Sequence, residues 1–289
     1  MVVIVKKISV LLIGFLSCTH CVYTYAAENS DENKGDHNKE NAIKTSWTIG
    51  GFVSHIERET IEDDEVNIAM VPLTLKWRAG LRWLKVSTAW IAVEGSGHID
   101  DALSSDTLEN REEQGVGDSS IAIGQLFSNK IGQQPFWTEL SGKVKIPTAD
   151  EEKGLGTGET DVTVTGSLFY LLQGRGTGTS GGWKQWYGRA AYQWRGDPET
   201  IDLNDRWIGT VGGVGTLTEQ IDWGVQWQWQ DRAVETLDPK QSLFIYCAWA
   251  LAQGKHSTAW IKKITPFLLT RSDKPSRELG VGVNISGDW

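Results

Sequence analysis

Over its last twelve residues the chain alternates strictly. Leu279, Val281, Val283, Ile285 and Trp289 fall on one face, and Glu278, Asn284, Ser286 and Asp288 on the other. A two-residue period is the signature of a strand with unlike faces. The pattern recurs upstream. Trp223, Val225, Trp227 and Trp229 oppose Asp222, Gln226, Gln228 and Gln230; Phe136, Leu140, Val144 and Ile146 oppose Glu139, Ser141, Lys143 and Lys145. Trp186, Ala190, Tyr192 and Trp194 oppose Arg189, Gln193 and Arg195, while Leu243, Ile245, Cys247, Trp249 and Leu251 oppose residues taken as smaller or polar.

Twelve strands are predicted, over 45–54, 66–78, 82–93, 118–128, 136–147, 160–172, 184–195, 206–216, 221–231, 241–252, 256–269 and 277–289. Most are long enough for a tilted membrane-crossing strand, which needs about 9–11 residues. Pro72 and Pro266 remove ladder donors and predict bulges or strand ends. Connections after the even strands are mostly short. Those after the odd strands are longer and acidic, notably 94–117 and 148–159. An even strand count with both termini on one side predicts this division. So many Trp-bearing faces, with too few helices to cover them, call for a solvent of low polarity. The fold class predicted is an all-β, transmembrane, antiparallel up-and-down barrel of about 12 strands.

Composition places this barrel outside the cytoplasm. Residues 1–27 carry the marks of an export signal: Lys6 and Lys7, an apolar run from Ile8 to Leu16, and small residues at Ala26 and Ala27. Phe15-Leu16-Ser17-Cys18 loosely matches a lipid-attachment site, so lipidation at Cys18 stands as a second reading. Residues 28–43 have almost no apolar side chains and predict a disordered periplasmic segment before a barrel spanning 44–289. With Cys18 and Cys21 ahead of the cut, Cys247 is the one cysteine left, which excludes a disulfide framework. Taking away Lys6 and Lys7 moves the formal charge from −9 to −11, which excludes nucleic-acid binding through a basic face.

Chemistry-bearing residues sit on the polar faces: Glu139, Lys143, Lys145, Asp161, Arg189, Arg195, Asp222 and Glu278. Turned inward, they line a lumen, either as a selectivity surface or as ion pairs filling a narrow cylinder. Gly154, Gly156 and Gly158 lack the strand-to-helix context of a phosphate-binding loop and predict a tight turn. His37, His55, His98 and His256 have no serine partner and no metal-ligand spacing, so no catalytic, cofactor or metal site is assigned. Carboxylates in 94–117 (Glu94, Asp100, Asp101, Asp106, Glu109, Glu112 and Glu113) are taken as solvated loop charge. Trp77, Trp83, Trp137, Trp183, Trp207 and Trp289 are predicted to lie outward, in interfacial belts.

Four stretches carry a family resemblance: Gly115-Val-Gly-Asp118; Lys143-Val-Lys-Ile-Pro-Thr148; Gly154-Leu-Gly-Thr-Gly158 with Asp161; and Gly196-Asp197-Pro198 with Asn204-Asp205. In order and spacing, 115–210 resembles the outer-membrane transporter family named for the meta-pathway of phenol degradation. Ala149 departs from it, standing where the family usually has Gly. The resemblance implies an outer-membrane barrel passing small, aromatic or hydrophobic compounds. Expected partners are outer-membrane lipid, a small solute, and the barrel-assembly machinery through the strand ending in Trp289. The alternative is a secreted or surface-attached, Trp-rich carbohydrate-binding module.

Overall fold

The computed structural model describes residues 43–288 apart from 59–63, 96–110, 132–133, 152, 173–181, 197–202, 233–237, 252–259 and 274–275. Residues 1–42 and Trp289 lie outside the described residues, and so do the export signal, Cys18, His37, His98, His256, the run Asp197-Pro198 and most of the 94–117 segment.

Among the described residues, thirteen strands form one antiparallel sheet: β1 (Ile43–Arg58), β2 (Asp64–Ala79), β3 (Arg82–Gly95), β4 (Arg111–Val116), β5 (Ser119–Ile131), β6 (Gln134–Ile146), β7 (Asp161–Leu171), β8 (Gly182–Trp194), β9 (Arg206–Thr218), β10 (Ile221–Gln230), β11 (Lys240–Ala250), β12 (Lys263–Asp273) and β13 (Ser276–Asp288). Consecutive strands pair, except that β4 and β5 both pair with β3, and β1 pairs with β13 as well as β2, so the sheet closes. β4 and β5 are one stave in two pieces. β4 pairs with Trp90–Gly95 of β3, β5 with Arg82–Ser87, and across the break Gly117 N–H donates to the Ala89 carbonyl at 2.8 Å. The wall therefore has twelve staves and no free edge, the one way a sheet satisfies its backbone within lipid. Spacing of about 4.8 Å and a tilt of about 40° give a backbone diameter of about 24 Å.

Two departures from the sequence expectation concern strand limits. β4 occupies part of the segment taken as an acidic loop: Arg111 to Val116 carry no apolar run, but pairing with β3 supplies their backbone partners. The strand expected at 256–269 is β12, which begins only at Lys263. Both prolines act as their missing donor dictates. The β1–β2 ladder breaks opposite Val71 and Pro72, and the β11–β12 ladder opposite Thr265 and Pro266, while each proline's other neighbour pairs without interruption.

Exposure sorts the two faces. Outward positions are apolar and open: Leu140, Leu168, Trp207, Val211, Trp249 and Leu279 are each about half exposed, whereas Leu126, Phe169 and Gln185, which point inward, are fully buried. Apolar surface on this scale is not left facing water but is covered by another phase. Here the surface is a continuous band on a closed barrel, and acyl chains are its solvent. Aromatic side chains bound that band at both ends. Near the start of β8, Trp183 stacks on Trp186 at 4.1 Å and meets Trp223 at 4.4 Å; near its end, Tyr192 contacts Trp194 at 4.9 Å and Trp207 at 5.0 Å. From Trp183 to Trp194 at about 3.3 Å per residue and about 40° of tilt, the rise is about 28 Å, which suits an apolar band about 25 Å tall.

Trp83 and Trp137 do not belong to those belts. Both point inward and are buried. Their parity shows it: Trp83 alternates with Lys85 and Ser87, and Trp137 with Glu139 and Ser141. Trp83 also finds an internal acceptor, its Nε1–H donating to Glu139 at 3.0 Å. Trp77, Trp183 and Trp207 do face outward.

Candidate functional site

The inward wall has two parts of different chemistry. On β6 to β10 it is polar: Glu139, Lys143 and Lys145 from β6, Asp161, Thr163 and Ser167 from β7, Gln185, Arg189 and Gln193 from β8, Arg206 and Thr210 from β9, and Gln226, Gln228 and Gln230 from β10. From β11 through β13 and β1 to β3 its middle is apolar: Phe244, Tyr246, Phe267, Leu269, Phe52, Ile56, Ile68, Met70, Ile91 and Val93 belong to one buried cluster, which reaches the polar strands through Trp137, Phe169, Tyr187 and Val214, while Thr74, Lys76, Lys85, Ser87, Lys240 and Ser242 are buried polar residues toward the ends of β2, β3 and β11. Strict alternation predicted a polar interior throughout. Phe244, Tyr246 and Ala248 correct that on β11, where both faces are apolar.

Inward aromatic rings lie against the wall rather than across the lumen, because glycines on neighbouring strands receive them. A Cβ at Gly212 or Gly224 would stand 2.4 Å from the ring of Tyr187 or Tyr246, and one at Gly280 or Gly282 would stand as close to Phe52 or Phe267. Phe244 contacts Phe267 at 5.1 Å, and Phe267 stacks on Phe52 at 5.4 Å. The result is a smooth aromatic lining over β11, β12 and β1.

At the mouth opposite the strand ends Ile43 and Asp288, the β6–β7 connection turns into the barrel. Gly154 to Thr157 are buried there, and Leu155 joins the inner cluster, lying where a Cβ at Gly115 would meet it at 2.8 Å. Gly154 and Gly158 adopt φ of 62° and 69°, a region that glycine enters at low cost. The wall residue Lys145 holds this loop. Its Nζ lies 3.2 Å from Asp118 and 3.3 Å from Asp161, and it donates to Thr157 Oγ1 at 2.5 Å. Asp118 Oδ1 accepts from Ala149 N–H, and Thr148 Oγ1 accepts from Ser119 N–H while donating to the Gly117 carbonyl or the Ser119 hydroxyl. Asp161 also accepts from Gln193 Nε2 at 3.0 Å and from Gly196 N–H at 3.3 Å, and Arg206 Nε–H donates to Gln193 Oε1 at 2.9 Å.

The eight residues singled out from sequence all point into the barrel, but they do not form one site. Lys145 and Asp161 belong to the network at the loop, with Lys143 and Arg195 on the same polar wall. Arg189 sits with its guanidinium carbon 5.3 Å from the centre of the Tyr187 ring. Glu139 lies toward the other mouth, as the acceptor of Trp83. Asp222 is there too, paired with Lys184 at 2.7 Å and accepting from Thr216. Glu278 is on β13, 2.7 Å from Arg271. Sequence reasoning missed Asp118, Leu155, Thr157 and Arg206 as contributors. Asp118, Leu155 and Thr157 fall within the glycine-bearing stretches of the family resemblance, and that was their available signal.

No family model matches the chain, and no curated protein does. Among solved structures, the chain is similar to the COG4313 outer membrane channel from Pseudomonas putida F1, with a TM-score of 0.62 at 10% identity, over 89% of this chain and 100% of that one. The translocator domain of the autotransporter NalP from Neisseria meningitidis aligns at a TM-score of 0.46 and 8% identity, over 93% and 95%. A KdgM porin in complex with disordered oligogalacturonate aligns at 0.44 and 7%, over 82% and 98%. At 10% identity the likeness to the COG4313 channel speaks to the fold, an antiparallel outer-membrane barrel.

Proposed function

We propose that the protein is an outer-membrane channel for the passive passage of small solutes. The observation that carries this reading is a closed barrel with an apolar outward band bounded by aromatic clusters and an inner wall bearing Lys143, Lys145, Arg189, Arg195 and Arg206. Structural staples alone do not call for a cationic wall in an acidic chain, whereas a passage does. The apolar band also weighs against the carbohydrate-binding module, which would leave it in water. The resemblance to the phenol-pathway family supports small aromatic or hydrophobic solutes. Lipid covers the outward band, and β13, with Leu279, Val281, Val283 and Ile285 outward, is the strand offered to the assembly machinery. The role is non-enzymatic: the wall charges guide solute rather than transform it.

Planar-bilayer recording on the purified protein tests this. Steady conductance with anion preference is expected; absence of any conductance or solute flux overturns the channel. Replacing Lys143, Lys145 and Arg189 by Glu is expected to move the preference toward cations, and unchanged preference removes these residues from the passage wall.

A further inference from the structure

The two-part lumen specifies a class of solute. On the polar side, Lys143, Lys145, Lys184, Arg189, Arg195 and Arg206 stand against Glu139, Asp161, Asp118 and Asp222, so cations lead by six to four. Those carboxylates are already engaged, Asp118 and Asp161 by Lys145, Glu139 by Trp83 and Asp222 by Lys184. Among the described residues, by contrast, Lys143 forms no hydrogen bond or salt bridge, and Arg189 Nε and Nη2 have no hydrogen-bond partner although buried. On the same face Gln185 Nε2 and Gln228 Nε2 are further donors without a protein acceptor. Unmet donors on a cationic wall fit an anion with several acceptor lone pairs, and a carboxylate is the compact one.

The facing wall excludes a purely polar ion as the best guest. Phe244, Phe267, Phe52, Ile68, Met70 and Ile91 give it a lining of rings and aliphatic side chains; beside that lining Arg271 and Glu278 pair at 2.7 Å, and the further charges on β2, β3 and β11 (Lys76, Lys85 and Lys240) are cations as well. Apolar surface on a solute gains there what it loses on leaving water, roughly 25 cal/mol for each Å² buried. At about 24 Å between backbones, with side chains entering from both sides, the lumen is narrow enough for a ring-sized solute to meet both walls.

Resting on the channel reading above, we infer that the lumen selects amphipathic organic anions: small molecules with an apolar ring or chain and one carboxylate. The body slides along the aromatic lining of β11, β12 and β1, while the carboxylate passes between the cations of β6, β8 and β9.

Flux into proteoliposomes holding the full protein tests this, with benzoate, benzylammonium and acetate as probes and potassium chloride conductance recorded on the same preparation. Benzoate is expected to enter about fivefold faster than benzylammonium, the size of effect that one cation within several ångströms exerts at an intermediate dielectric. It is also expected to reduce the chloride current at concentrations where acetate does not. Conductance with equal benzoate and benzylammonium flux would overturn the solute class and leave the channel standing, whereas no chloride conductance would remove the channel itself. Two variants separate the walls, each checked for folding by heat-modifiable migration. Lys143→Gln with Arg189→Gln should abolish the preference for benzoate over benzylammonium. Met70→Gln should reduce benzoate block and leave the chloride-to-potassium ratio unchanged. A Met70→Gln channel blocked like the parent would rule out the apolar wall as the body's path, and retained charge preference in the double variant would rule out its cations.

Discussion

The wall on β6 to β9 and the wall on β11 to β1 obey the same alternation yet are held together differently. The first is cross-linked by directed polar contacts, with Lys145 between Asp118, Asp161 and Thr157, and Gln193 between Asp161 and Arg206. The second relies on rings laid over glycines, Phe52 on Gly280 and Phe267 on Gly282. A hydrogen-bonded wall keeps charge exposed to whatever passes, and a ring-on-glycine wall gives a surface with little texture. Alternation decides which side chains point inward; it does not decide what an interior must be made of.

Removing one hub should damage the polar wall most. Lys145→Met leaves Asp118 and Asp161 facing each other without their cation, at a cost of about 3 kcal/mol. It also frees Thr157, so the account expects a lower unfolding midpoint in denaturant together with a larger single-channel conductance. The same conductance with the loop's anchor gone would show that 154–157 does not narrow the mouth.

The ring-on-glycine wall is sharpened by comparing glycines. Gly280→Val sets a branched side chain into the Phe52 ring and is expected to cost about 2 kcal/mol. Gly142 and Gly166 point outward with nothing within 4 Å of a built Cβ. Gly142→Ala should therefore be neutral or stabilising by up to about 1 kcal/mol. Unfolding midpoints of the two variants in the same lipid decide this, and equal losses would remove the ring contact as the cause. The smallest effect belongs to the loop's exposed ion pair. Lys153 lies 3.6 Å from Asp150, with both side chains nearly half exposed, and Lys153→Ala should shift stability by less than about 0.5 kcal/mol.

Much of this was legible in the chain itself. Strand positions, closure and the outward direction of Trp186, Trp194, Trp207 and Trp227 follow from the period of two, because one face had to meet lipid. The breaks at Pro72 and Pro266 follow from a missing N–H. What escaped has a common cause: the interior is shaped by contacts between strands far apart in sequence. Trp83 and Trp137 read as interfacial because they are indoles near strand ends, although parity with Lys85 and Glu139 places them inside. Phe244 and Tyr246 were passed over because Leu243 and Ile245 beside them already supplied an apolar outward face. The Lys145 network could not be assembled in advance, since Asp118 lies at the break between β4 and β5, Thr157 in the β6–β7 connection and Asp161 at the start of β7, a juxtaposition that the pairing of β5, β6 and β7 provides.

Thiol accessibility along β6 and β7 tests the orientation of the wall most directly. In a Cys247→Ser background, single cysteines at Ser141, Lys143 and Thr165 should react with a charged, membrane-impermeant methanethiosulfonate and alter the current. Cysteines at Leu140, Val164 and Leu168 should react only with a lipid-soluble maleimide. Aqueous labelling of the outward set, or equal labelling of both, would contradict a barrel with acyl chains outside and a solute path within.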